Sequence, residues 1–143
     1  MSFEKDREGG ITLDASVALA WCFEDEWSAQ ADEVLRLVQS DGALVPPLWD
    51  LEIVNVLLVA ERRGRITPAD TIRFLALFDA LPIEISESDP PMTELAAIGR
   101  THGLSAYDSA YLLASLRSGW PLATLDERLR EAAKAIGCAL VLG

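Results

Sequence analysis

Cysteine, histidine and lysine are scarce in this chain, and each scarcity removes a class of chemistry. The 143 residues hold two cysteines, Cys22 and Cys138, with no C-x-x-C spacing, and one histidine, His102. A disulfide framework and a Cys/His zinc site are therefore not indicated, and both cysteines read as small buried hydrophobes. His102 stands just before Gly103 with no acid or cysteine at ligand spacing, so it reads as a charge for a helix C-terminus or a surface residue rather than a catalytic base. The only lysines are Lys5 and Lys134. A phosphoryl-receiving signalling domain needs a strand-end lysine, and that reading falls. A haloacid-type phosphatase needs Asp-x-Asp after the first strand, where this chain has Asp14-Ala15-Ser16. Long apolar runs are absent too: nothing approaches the roughly 18 uninterrupted apolar residues of a membrane helix. The charged stretch from Met1 to Glu8 is unlike a secretory signal, so a cytoplasmic protein with no membrane partner is expected.

Bases are few: 12 Lys and Arg against 23 Asp and Glu, a net charge of -11. That balance counts against broad electrostatic attraction to nucleic acid. It fits either acids that collect metal or an acidic surface that meets a basic protein partner.

Half of the chain is apolar, and its length suits one domain with a layered core. Residues 1–10 are polar and end in Gly9-Gly10, which predicts a disordered lead, leaving 11–143 as a single domain. Short apolar runs alternate with helical stretches. Strands are expected at Ile11-Thr12-Leu13, Gly42 to Val45, Ile83-Glu84-Ile85, Leu122-Ala123-Thr124 and Ala139-Leu140-Val141. Between them lie expected helices at Val17 to Phe23, Ser28 to Gln39, Asp50 to Arg63, Pro68 to Ala80, Asp89-Pro90-Pro91 to Gly103, Ser105 to Arg117 and Asp126 to Ile136. The Ser28 helix carries a stripe of Ala31, Val34, Leu35 and Val38, and Thr67-Pro68 places proline in a first helical turn. This alternation predicts a three-layer α/β/α sandwich around a mostly parallel five-stranded sheet.

In open parallel sheets, ligands gather beyond the carboxyl ends of the strands. Thr12-Leu13-Asp14 and Thr124-Leu125-Asp126 each deliver an aspartate at a strand-to-helix turn, and Glu52 and Asp108 fall in the first turns of expected helices. Each acid alone also suits a cap or the helix dipole. On the Asp50 helix, Leu51, Val54, Leu57 and Leu58 form the expected core stripe, while Glu52 and Asn55 share another face. If the four acids converge, their repulsion needs an answer, because two carboxylates about 4 Å apart cost about 4 kcal/mol at an effective dielectric of 20. A hard divalent cation supplies it, held directly by one or two carboxylates and through water by the rest. Such a centre activates water and orients a phosphate for phosphodiester hydrolysis.

Four separated stretches carry a resemblance: Leu13-Asp14-Ala15-Ser16-Val17, Trp49 to Leu57, Ala106-Tyr107-Asp108-Ser109-Ala110-Tyr111, and Ala123 to Leu129. In this order, and over nearly all of Ile11 to Val141, the chain resembles the PIN-domain family, most closely its VapC-type toxins. The resemblance implies a Rossmann-like fold and an endoribonuclease using Mg2+ or Mn2+. It assigns metal and catalysis to Asp14, Glu52, Asp108 and Asp126, with Ser16, Asn55 and Thr124 as polar support. It further implies an RNA substrate, a small antitoxin partner and a homodimer. Arg62, Arg63 and Arg65 form the best basic cluster for RNA, set against plain dipole complementation at a helix end. Trp21, Trp27, Trp49 and Trp120 are unevenly spaced, which favours packing or a partner interface over a base-stacking platform. The competing reading from another class is a catalytically silent PIN-like interaction module.

Overall fold

The computed structural model describes residues 10–87 and 90–142. Among the described residues four short strands form one parallel sheet: β1 (Ile11–Leu13), β2 (Ala43–Val45), β3 (Ile83–Ile85) and β4 (Leu122–Ala123), in the order β3-β2-β1-β4. β1, β2 and β4 are buried throughout, as strands covered on both faces of a parallel sheet are, and the one polar residue among them, Thr12, is buried with the rest. β3, at one edge, is partly exposed. The helices are α1 (Ala15–Ala20), α2 (Ala29–Asp41), α3 (Leu48–Arg62), α4 (Pro68–Ala80), α5 (Met92–His102), α6 (Ala106–Ser118) and α7 (Glu127–Ile136). The chain steps outward from β1 through β2 to β3, then returns across β1 to β4. Right-handed crossovers with that reversal distribute helices to both faces of the sheet. None of the described helices is long and apolar enough to cross a membrane.

The expected fifth strand is not one. Around Ala139-Leu140-Val141 a single parallel bridge joins Leu140 to Leu122, with Leu122 N donating to Ala139 O and Val141 N to Leu122 O, both at 2.9 Å. The cause lies in β4. Beyond Ala123 the backbone leaves the ladder: Leu125 N donates to Ser16 Oγ and Asp126 N to Thr124 Oγ1. Too little strand is left for a longer partner.

Helix α3 also departs from expectation. It begins at Leu48, two residues earlier than Asp50, because Pro47 already has helical backbone and Trp49 N donates to Pro46 O. Glu52 therefore lies beyond the first turn. The buried stripe is Trp49, Ile53, Leu57 and Ala60, whereas Leu51, Val54 and Leu58 are exposed. Apolar residues occupy so many positions of this helix that periodicity alone does not choose a face, and the bulky indole of Trp49 decides it. Trp49 packs edge-on against Phe78 of α4, with ring centroids 5.6 Å apart.

The expected stripe of α2 is buried, and local caps not assigned from the sequence start both α2 and α4. Ser28 caps α2 by accepting from Ala31 N, and Ala31, Val34 and Val38 are fully buried with Leu35 packed on them. Thr67 and Asp70 form a reciprocal capping box ahead of Pro68. Helix α1 is shorter than Val17 to Phe23 suggested and starts earlier, directly after Asp14. The expected lead lies, over residues 1–9, outside the described residues. Gly10 is buried against Trp120, where an added Cβ would stand 2.3 Å from the indole.

Candidate active site

β1 and β4 are neighbours, and the chain's direction of travel across the sheet reverses between them. Their carboxyl ends therefore open the crevice in which a doubly wound sheet holds ligands. Asp14 leaves β1 into that crevice and is only 6% exposed. It occupies the N-cap position of α1, yet its side chain caps nothing. Its Oδ2 instead accepts from Ser16 Oγ at 2.7 Å and from Thr124 Oγ1 at 2.6 Å, which ties the end of β1 to the end of β4. Ser16 and Thr124 in turn approach one another at 3.5 Å.

Asp126 caps α7 through Leu129 N at 2.9 Å, so one of its oxygens serves the helix as the capping reading anticipated. Asp108 lies in the first turn of α6, where its amide, not its carboxylate, is the group capped by Ser105 Oγ. Glu52 arrives from α3 and accepts a hydrogen bond from the phenol of Tyr111, a fully buried residue of α6.

Asp14, Glu52 and Asp108 each sense the charge of other acids in this group. Burial pushes the Asp14 carboxyl above its ordinary range; the Thr124 and Ser16 hydroxyls oppose this, and the charges of Glu52 and Asp126 add to it. Glu52 is raised by burial, lowered in part by Tyr111, and raised again by Asp108. Asp108 is raised by burial and by Asp126 and Asp14, with Ser105 and the cation of Arg128 pulling the other way. Acids from four remote stretches thus form one electrostatic unit. Among the described residues no group of three or more His, Cys, Asp or Glu side chains stands close enough together to hold a metal ion. The convergence is of charge rather than of a finished chelate. Oxygen-only donors that are partly buried and short of compensating charge nevertheless suit a hard divalent cation, which needs few direct protein ligands.

Not every candidate joins this unit. Asn55 is exposed on α3 and lines a cavity of about 490 Å³ with Glu52, Leu48, Leu51 and Tyr107. Arg62 and Arg63 lie at the far end of α3, some ten residues and so about 15 Å along the helix from Glu52. Arg65 is engaged elsewhere: its guanidinium pairs with Asp25 at 3.1 Å and Glu26 at 3.7 Å and covers the Phe23 ring at 4.4 Å. His102 is half-buried in the last turn of α5, and Trp21, Trp49 and Trp120 are buried in the core. Two participants went unnoticed in the sequence. Tyr111 follows Asp108 by three residues, a spacing that puts both on one helical face, and Arg128 follows Asp126 by two.

Comparison with known proteins agrees with this fold. The family model described as PIN domain matches residues 11–135. The chain is similar to Ribonuclease VapC3 of Pyrobaculum aerophilum, 28% identical over 125 residues, spanning 85% of this chain and 92% of that relative. It also resembles the fold of a crystal structure of PAE2754 from the same organism, with a TM-score of 0.69 at 23% identity over 87% of this chain and 84% of that one. With a family model covering all four acids and a parallel sheet delivering two of them at its switch point, the chain belongs to the PIN domain family.

Proposed function

We propose that this protein is a metal-dependent endoribonuclease, the toxin of a toxin–antitoxin pair, with Asp14, Glu52, Asp108 and Asp126 as its catalytic acids. The observation that carries the reading is the gathering of these carboxylates within reach of each other's charge, with Asp14, Glu52 and Asp108 made weaker acids than usual by burial and by their acidic neighbours. Such a cluster costs the empty fold energy that bound Mg2+ or Mn2+ returns. When bound, the ion activates water and stabilises the leaving oxygen in phosphodiester hydrolysis. The chain's own residues prepare the site. Ser16 and Thr124 fix the rotamer of Asp14, Tyr111 fixes Glu52, and the cap made by Asp126 orients its carboxylate.

RNA as substrate is supported by the similarity to Ribonuclease VapC3. A small antitoxin completes the pair, and the net charge of -11 favours a basic segment as its inhibitory contact. Large apolar side chains left exposed on α4, Ile72 and Leu77, support pairing of two copies, and the site of action is the cytoplasm. Purified protein incubated with structured RNA, with Mn2+ or with EDTA, tests the activity. Cleavage that requires Mn2+ and disappears in Asp108→Asn is the expected result. RNA left whole in every lane means a silent interaction module.

A further inference from the structure

The cavity beside Glu52 has a lining unlike the rest of the acidic centre. Leu48 and Leu51 supply apolar walls, Tyr107 an aromatic ring and Asn55 an amide, around about 490 Å³. Tyr107 is 60% exposed and Leu51 75% exposed, although covering such groups is worth about 25 cal/mol per Å². Tyr107 directly precedes Asp108, and Glu52 belongs both to the cavity and to the coupled acids. A group bound here is therefore contiguous with whatever the acids act on.

We propose that this cavity is the subsite for one unstacked nucleobase adjoining the phosphodiester that is cut, stacked on Tyr107 and contacted at its edge by Asn55. The proposal rests on the ribonuclease reading above and gives that site its means of holding single-stranded RNA. Phosphate neutralisation by bases is the usual source of nucleic-acid affinity, and a chain of net charge -11 is poorly equipped for it. Base–aromatic stacking is the alternative source, and it needs no positive charge. A planar heteroaromatic ring with donors and acceptors at its edge matches a cavity with aromatic and apolar walls and one amide, because single-stranded RNA is read by stacking and by hydrogen bonds to base edges. The volume is ample for a base and lies in the usual range of small-molecule pockets. An apolar protein surface laid over the same patch would strand the Glu52 carboxylate without a counter-charge.

The test uses the full chain as Asp108→Asn, with Mg2+ and short fluorescent single-stranded RNAs, so that the strand stays whole. An abasic residue is walked along the RNA and affinity is read by anisotropy. One position is expected to weaken binding about tenfold, the scale of a single stacked base. Adding Tyr107→Ala weakens the intact strand by a similar factor and removes the abasic penalty, while Tyr107→Phe retains both. Between 50 and 200 mM salt the affinity falls less than about tenfold, well short of a protein that neutralises many phosphates. Tyr107→Ala variants that keep their melting temperature yet bind intact and abasic strands as the parent does would overturn the subsite. So would sedimentation showing that Tyr107→Ala converts a dimer to monomers, which makes the patch a contact between copies. Metal-dependent cleavage by the unmodified chain alongside either result sinks the subsite alone. Tyr107-dependent base binding with no cleavage supports the subsite and sinks the nuclease reading.

Discussion

The phenol of Tyr111 on α6 donates its hydrogen bond to Oε1 of Glu52 on α3, joining two helices 59 residues apart in the chain at the acidic centre. The phenol is itself buried, and burial together with Glu52 pushes its ionisation far above the ordinary tyrosine range, so it remains a donor at any working pH. The bond lowers a Glu52 carboxyl that burial and Asp108 raise. Tyr111→Phe keeps the ring and deletes the donor, so Glu52 titrates at still higher pH. The acid limb of the cleavage rate profile is expected to move to higher pH, with a rate loss at neutral pH of about ten- to a hundredfold, the scale of the roughly 1.5 to 3 kcal/mol typical of a bond to a charged group. An unmoved limb would mean that Glu52 is not needed in its ionised form.

Asp14, Glu52 and Asp108 all have folded-state values above their unfolded ones. Between the unfolded and folded values the native state binds more protons, so stability falls as pH rises through that window, and the full deficit stands above the raised values. The metal-free protein is expected to melt lower at pH 7.5 than near pH 5 on account of these three groups. Mn2+ should raise the melting temperature more at pH 7.5, where the carboxylates are ionised, with a ceiling set by occupancy: about 2.7 kcal/mol at one hundred times the dissociation constant. Asp14→Asn is expected to raise the metal-free melting temperature and to abolish much of the Mn2+ effect. Calorimetry with and without Mn2+ at the two pH values checks both, and an equal shift at each pH would contradict the charge argument.

Thr124 is 1% exposed and uses one hydroxyl twice, donating to Asp14 Oδ2 and accepting from Asp126 N. Thr124→Ala leaves a buried carboxylate oxygen and a backbone amide each short of a partner, a loss of about 1 to 3 kcal/mol. Thr124→Ser restores both bonds and should recover most of the stability and of the metal affinity. Denaturant unfolding of the two variants separates this from simple loss of the methyl group, which Ser also lacks.

How much was legible in the chain follows from the range of each signal. Strands β1 to β4, the buried stripe of α2 and the proline in the first turn of α4 were readable because a local residue pattern determines each. The strand-end places of Asp14 and Asp126 and the first-turn place of Asp108 follow from equally local patterns, whereas Glu52 lies deeper in its helix than the first turn that the pattern suggested. The face of α3 was not, since Leu51, Val54 and Leu58 are as apolar as the residues actually buried, and only packing against Phe78 chooses Trp49 and Ile53. The loss of the fifth strand was hidden for a related reason. It depends on Ser16 and Thr124 drawing the β4 backbone away from the ladder, contacts made across more than a hundred residues. Tyr111 escaped notice because an apolar, alanine-rich helix offers a buried aromatic an ordinary core role, and the partner that gives it another lies on α3.

Arg65 separates the basic cluster from the site in a way that mutation can read. Its pairs with Asp25 and Glu26 are exposed, with side-chain exposures of 43%, 75% and 46%, so they contribute little after solvent screening. Its stacking over Phe23 adds about 0.5 to 1 kcal/mol. Arg65→Ala is therefore expected to lower the melting temperature by a few degrees, through the connection between α1 and α2, while leaving KM for RNA within about twofold. Arg62 and Arg63 are exposed at the C-terminal end of α3. If that end guides RNA, the double change Arg62→Ala with Arg63→Ala raises KM without moving the melting temperature, and the rise shrinks in high salt as the Debye length contracts. An Arg65→Ala protein that melts normally but loses RNA affinity would reverse this division, and place the cation's main contact with the substrate rather than with Phe23 and its two acids.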